Sequence, residues 1–527
     1  MSINSAAFLL FLAVAVGVYY WAPKKYRYFV LLAASVYFYL AYSVHASFYL
    51  FITILGTYGS ALLLGALHLR EKEALAAEGA DRRAVKQRGK RQRRGVLAGI
   101  LVLNFSTLAL FKYLDAWLGE LNGLFSFFGQ DFSFRPLELL LPLGISFYIF
   151  QTSGYLIDVY RGRVEPERNF LKYALFACYF PQMIQGPINH YDSLHPQLIG
   201  GNNFSADNLK YGIQLMLWGM LKKAFLADPL AAAVGEIYSN YANYSGAVIF
   251  LGVGLYCLQL YCDFSGGTDV VRGASQLFGV EMSENFRRPY FARTVDEFWR
   301  RWHISLGDWM KNYLFYPLAL SGPLNRWGKR LRKVLGARLG KLFSPCVCTL
   351  IVFLVVGIWQ GPGWSNIAYG LWNGGLMCLA MLSEPLCIKV KEHLKIKEER
   401  RWFRFFQVLR TFLLVVIGRY FSRASGLTQA LGMLWRTVRH FGWSSIGVET
   451  FTCFGLDGFD WLQIIIATLI LFMVSYWQER GIPIRKTLEQ KHWSIQFSVL
   501  FIAILLLLIF VYLNSDYTAI SFVYENV

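Results

Sequence analysis

The chain has 527 residues, of which 55% are hydrophobic and 17% aromatic but only 16% charged, with a mean hydropathy of +0.38; soluble globular domains carry about 25% charged residues. That composition excludes a soluble domain and implies a polytopic membrane protein. The net charge of +19, from 52 Lys and Arg against 33 Asp and Glu, does not point to nucleic acid, because the basic residues fall in short segments between apolar runs, where the positive-inside rule and anionic lipid head groups account for them.

The first apolar run, about Ala6 to Trp21, has no Lys or Arg before it and therefore lacks the basic start of a cleaved signal peptide, so it is expected to remain as a span. Lys24, Lys25 and Arg27 follow it, which puts that loop in the cytoplasm and the N-terminus outside. Spans at about Tyr28 to Tyr42 and Ser47 to Leu67 lead to a second basic loop, Arg70 to Arg94, also inside. A fourth span, about Val96 to Leu110, precedes a segment (114–136) whose only basic residue is Arg135, as expected outside. A fifth, about Leu137 to Ile157, returns to the basic RGRVEPER (161–168) inside.

At the other end, Trp461 to Trp477 and Ile495 to Leu513 are clear spans separated by RGIPIRKTLEQK (480–491). Residues 492–527 contain no Lys or Arg, which puts the C-terminus outside as well. About 10–12 transmembrane helices are expected by the ~20-residue criterion, with re-entrant or amphipathic helices in the centre. The chain reads as one integral domain: N-terminal helices (1–136) with the basic loop 70–94, a core with a polar centre (137–425) and a C-terminal helical extension (426–527). No repeat indicates an inverted-repeat transporter.

Polar residues concentrate between about Phe180 and Asn373, where their cost in a membrane makes them functional candidates. Within ENFRRPYFARTVDEFWRRWHISLGDWMKNYLFYPL (284–318), Phe298, Trp302, Leu306, Trp309 and Tyr313 recur at helical spacing and form one aromatic face. Arg300, Arg301, Asp308, Lys311 and Asn312 lie largely elsewhere, so the segment is expected to be an amphipathic helix at or dipping into the membrane. His303 sits at the edge of that face. It is either a base kept neutral by burial and adjacent cations, or a histidine satisfied by a backbone carbonyl. Asp263 in LYCDFSGG is expected to pair with an arginine such as Arg288 or Arg301, the alternative being a chemical role. The arginines could themselves hold the phosphates of a CoA or phosphopantetheine donor, or lipid phosphate.

In VVGIWQGPGW (355–364) a hydrophobic run ends on Trp359 and the amide Gln360, then meets Gly361, Pro362 and Gly363. The plain interpretation is a helix stop with an interfacial amide. The eight cysteines, Cys178, Cys257, Cys262, Cys346, Cys348, Cys378, Cys387 and Cys453, lie in or beside apolar runs without CxxC pairs, so neither a metal site nor a disulfide framework is expected. None is placed to act as a nucleophile; Cys346 and Cys348 fall about 18–21 Å from Gln360 along a helix.

LPLGISFYIFQTSGYLIDVYRG (141–162), FPQMIQGPI (180–188), GMLKKAFLAD (219–228), the run from Tyr261 to Leu318 and RTFLLVVIGRYFSRA (410–424) occur in an order that resembles the membrane-bound O-acyltransferase (MBOAT) family. The resemblance is to its alginate O-acetylation and teichoic-acid D-alanylation branches. It implies an all-α MBOAT fold around a central funnel, in a bacterial cytoplasmic membrane. It also implies transfer of an acyl group from a cytosolic donor across the membrane to a cell-envelope or secreted polysaccharide. The implied donor is acyl-CoA, acetyl-CoA first because of the C-terminal extension, or else an acyl carrier protein. A separate extracytoplasmic transferase is the implied partner, besides membrane lipids, and no cofactor is bound.

Where the family carries its expected catalytic histidine, in a Trp-His-Gly pattern, this chain has Gln360, and a second family histidine corresponds to Asn373 in LWNG; His303 in RRWHIS is retained. An amide cannot act as a base, whereas it can donate a hydrogen bond. The candidate catalytic residues are therefore His303 and Gln360. Asn373, Asp263, Asn285, Arg288, Arg301 and Trp302 are candidates for binding the donor or holding the site. Two alternatives stand beside an active acyltransferase: a silent relative that binds the donor or serves as a scaffold, and a transporter or flippase.

Overall fold

A computed structural model describes residues 3–79, 81–128, 133–137, 142–443, 447, 454–512, 520 and 522. The described residues are helical and connected by turns, apart from one isolated antiparallel bridge between Phe286 and Trp302. Eight helices among them are long and apolar enough to cross a membrane. Shorter helices of 16 residues occupy Ala6–Trp21, Arg27–Tyr42 and Ile145–Tyr160. This is an all-α, multi-pass membrane protein.

The first expected span coincides with the helix Ala6–Trp21, which starts where the Ser5 side chain accepts from the Phe8 backbone N–H at 3.1 Å. The expected loop from Arg70 to Arg94 is a correction. The helix Val44–Ala76 runs into it from one side and Arg82–Phe127 leaves it on the other, because its Glu, Lys, Arg and Ala residues are good helix formers. Arg93 then forms an ion pair with Glu71 across the hairpin. Leu513, the end of the last expected span, and residues 138–141 of the fifth lie outside the described residues; the described part of the last span is Trp493–Leu507 followed by a π-turn to Tyr512.

By internal contacts the chain forms two compact units. The first holds the residues up to Met216 together with Thr268–Ser283. In it, Val44–Ala76 packs against Arg82–Phe127 and Ile145–Tyr160, and Tyr173 donates to Thr57 Oγ1 at 2.7 Å in a fully buried setting. Gly144 caps Ile145–Tyr160 with φ 67, and a Cβ there would sit 2.1 Å from the Met183 carbonyl, so both conformation and space require glycine.

The second unit holds Leu217–Gly267 and the chain from Glu284 onward. Its C-terminal helix Gly458–Glu479 opens on a reciprocal cap between Asp457 and Asp460, and it leaves Leu462, Ile465, Ile466, Leu469 and Phe472 exposed. Trp493–Leu507 does the same with Phe497, Val499, Phe501 and Ile502. An apolar surface of that extent needs lipid as its solvent.

The helix ends at Gln360, where the Gly-Pro-Gly sequence predicts a stop, and the next begins at Trp364. These two helices, Gly336–Gln360 and Trp364–His393, approach through small residues. A Cβ on Gly357 would lie 2.4 Å from the Asn366 carbonyl, and one on Gly370 would lie 2.3 Å from the Phe353 carbonyl. Such crossings bring backbones together in lipid, where no hydrophobic force separates packed helices from free ones.

Candidate functional site

The expected amphipathic helix over 284–318 is broken, and the break is at the histidine. Helix Val295–Arg301 ends at Trp302 and Ile304–Met310 begins after His303, whose φ of 48 and ψ of 54 are left-handed. A non-glycine residue in that region is disfavoured and persists only where its surroundings enforce it. Here the enforcement comes from residues 285–287, which run antiparallel to 301–304. Arg287 N–H donates to the Arg301 carbonyl at 2.9 Å, and Ile304 N–H donates to the Asn285 carbonyl at 3.0 Å. These bonds replace helical ones, so the local pattern loses to a long-range pairing. The aromatic face survives the break: Phe298, Trp302, Leu306, Trp309 and Tyr313 are all buried, while Arg300, Asp308 and Lys311 are exposed.

Asn285 is fully buried, and its side-chain oxygen receives Ser305 N–H at 3.2 Å and Ser305 O–H at 3.0 Å. The same oxygen lies 3.1 Å from His303 Nδ1. An amide oxygen only accepts, so Nδ1 carries the proton and Nε2 carries the lone pair. Phe264 packs edge-on to the imidazole with centroids 4.8 Å apart, and the Trp359 ring lies 6.0 Å away. Burial in these apolar surroundings pushes the His303 pKa down to about 3, which keeps the imidazole neutral at physiological pH.

Gln360, the last residue of its helix, is half-buried and adjacent to Trp359, the buried residue that approaches His303. Asn373 is buried in the facing helix, and its Nδ2 donates to the Tyr369 carbonyl one turn back at 2.8 Å.

The ion pairs differ from those expected. Asp263 does not pair with Arg288 or Arg301; Lys223 Nζ donates to it at 2.6 Å and to Asp228 at 2.8 Å, all three being buried. The adjacent Lys222 donates to Ser265 Oγ at 2.8 Å. Arg301 meets Glu479 through two parallel bonds of 2.9 Å and Glu297 through one of 2.6 Å. Arg288, left-handed at φ 46, shares Glu479 at 2.9 Å. Both arginines are committed to carboxylates, and that position suits holding the loop around His303. A protein carboxylate at about 28% exposure was the missing partner.

Trp302 stacks on Phe298 with centroids 5.7 Å apart and offers its other neighbour, Arg419, a ring 4.7 Å from the guanidinium carbon. Glu479, Lys223 and Arg419 were not singled out from the sequence. The signal available was a charge inside or at the end of an apolar run, as in LVVIGRYF and SYWQER.

The sequence pattern of the family described as MBOAT, membrane-bound O-acyltransferase family, matches residues 100–332. A protein named probable alginate O-acetylase AlgI from Azotobacter vinelandii is 31% identical over 82% of this chain and 77% of its own length. A peptidoglycan O-acetyltransferase from Helicobacter pylori is 31% identical over 63% of each chain. A teichoic acid D-alanyltransferase from Bacillus subtilis is 26% identical over 54% of this chain and 69% of its own length.

Proposed function

The chain belongs to the membrane-bound O-acyltransferase family, and from that premise we propose that it transfers an acetyl group from cytosolic acetyl-CoA across a bacterial cytoplasmic membrane for O-acetylation of a cell-envelope or secreted polysaccharide. The names of its relatives support the cargo, two of the three being O-acetylating proteins. The alternating basic segments support a cytoplasmic face on the donor side, with both termini outside. A separate extracytoplasmic transferase completes the transfer to polymer, and a D-alanyl group on a carrier protein is the second choice of donor.

One observation carries the chemistry: His303 is a buried, neutral imidazole whose tautomer is set by Asn285. With Nδ1–H committed to that amide, Nε2 takes the proton of an acceptor hydroxyl as the oxygen attacks the thioester carbonyl. The carbon–sulfur bond then breaks, and the imidazolium returns the proton to the departing thiolate. Charging an imidazole in this setting is costly, and the negative charge developing on the thioester offsets it. Gln360 can orient the carbonyl through its amide N–H but cannot replace the base.

Gln360 and Asn373 favour a second reading, in which the protein binds or conducts the donor without turning it over. The test is full-length protein in lipid nanodiscs with labelled acetyl-CoA and polysaccharide fragments. Release of CoA with loss of label from the thioester supports acyl transfer by this chain. Binding of acetyl-CoA without release of CoA overturns it in favour of the second reading, and flux of a substrate without acyl chemistry points to a transporter.

A further inference from the structure

Two cations of the second unit are buried to about the same degree, Lys223 and Arg419 at 2% exposure each. Lys223 is bracketed by two carboxylates. Arg419, on the membrane helix Arg401–Arg423, has no carboxylate within ion-pair distance among the described residues. The groups around it are the hydroxyls of Tyr256, Tyr290 and Tyr369 and the thiol of Cys257, none of them a carboxylate. A buried cation without a counter-charge is strongly unfavourable, and a charge kept inside a membrane helix is a functional candidate by default.

The pattern of its hydrogen bonds is specific. Nη1 donates to the Tyr369 hydroxyl at 3.2 Å, and the face of the guanidinium lies over Trp302. Nε and Nη2 are buried without a hydrogen bond to an oxygen or nitrogen, and the Cys257 thiol is a polar neighbour of the guanidinium. Those two nitrogens form one edge of the guanidinium, whose N–H bonds point the same way and match two oxygens of a carboxylate or phosphate. Tyr369 and Trp302 hold the opposite edge and the face, so the side chain is fixed with its two-pronged edge buried and without a hydrogen bond.

We propose that Arg419 is the receptor for an anionic ligand group, a carboxylate or phosphate that takes Nε–H and Nη2–H with two of its oxygens and neutralises the buried charge. Trp302, over the guanidinium face, is the residue before the candidate base His303 in the chain. The assignment concerns ligand charge and holds whether or not the site turns over.

The experiment uses full-length protein in nanodiscs without an acceptor, titrated separately with acetate, inorganic phosphate and CoA, and read by calorimetry and by the rise in melting temperature. At least one probe saturates on the wild type; acetate alone identifies a carboxylate ligand, and phosphate or CoA a phosphate one. Arg419→Lys keeps the charge but loses the paired edge, and weakens the dissociation constant by about tenfold or more. Arg419→Gln abolishes binding. Failure of all three probes to saturate on the wild type overturns the proposal, as does affinity unchanged in both variants. Should neither variant fold, a cryo-EM reconstruction of the wild type with the saturating probe decides: density on the Nε–Nη2 edge supports the assignment and density elsewhere overturns it.

Discussion

Two turns in the second unit look equivalent in sequence and differ in what they hold. Each interrupts a helix beside a tryptophan: one at Trp302 and His303, the other at Trp359 and Gln360. At the first, a left-handed histidine is enforced by an antiparallel clasp and by one asparagine oxygen that accepts from Ser305 and His303. At the second, a glycine-lined helix crossing brings the turn together, and the residue presented is an amide. The first turn specifies a proton position; the second specifies only where backbone and ring go. Within a family whose resemblance places the catalytic histidine at the second turn, this chain has the more controlled imidazole at the first.

That contrast can be broken most directly through the base. His303→Ala is expected to lower acyl transfer about 10²- to 10⁴-fold, while Gln360→Ala changes it by less than about tenfold; steady-state rates on both proteins check this. Asn285→Ala removes the oxygen that accepts three donors. It should lower the rate about 10- to 100-fold by freeing the tautomer and destabilise the loop by about 2–3 kcal/mol, read as a slower rate and a lower melting temperature. Asn285→Asp, which keeps an acceptor, should recover part of the rate.

At the other turn, Gly370→Val puts side-chain atoms against the Phe353 carbonyl and should cost about 1–3 kcal/mol of thermal stability. His303 itself should be untouched, so the rate per folded molecule falls less than in Asn285→Ala. A separate effect is the pH dependence of stability. The His303 pKa is depressed to about 3 in the folded protein by burial, against about 6.5 unfolded. Its contribution is therefore fully present above about pH 6.5 and is lost as pH falls toward 3, at about 1.4 kcal/mol per pH unit. Melting curves between pH 7 and pH 4.5 should be flatter in His303→Gln than in the wild type.

Much of the membrane architecture was legible because lipid imposes simple rules. The start and end of Ala6–Trp21 and the stop at Gln360 follow from apolar length and from Gly-Pro-Gly. The aromatic face from Phe298 to Tyr313 followed from periodicity even though its helix is broken. The break itself was not legible, since it depends on backbone bonds from Asn285, 18 residues away from His303. Ion pairing was missed for the same reason. Asp263 finds Lys223 at a separation of 40 residues, and Arg301 finds Glu479 at a separation of 178; neither distance leaves a periodic trace. Arg419 sits inside RTFLLVVIGRYFSRA, a run that carries the family resemblance, and a single charge in an apolar run leaves no sign of which groups surround it.

The most direct test of the claim that catalysis rests on the first turn is CoA release from acetyl-CoA, in the presence of a polysaccharide acceptor, by wild type, His303→Ala, Gln360→Ala and Gln360→His, each verified as folded. Turnover by the wild type that is lost in His303→Ala and retained in Gln360→Ala is the expected result. A silent wild type that becomes active in Gln360→His would contradict the account, and would make the second turn the place where chemistry was lost.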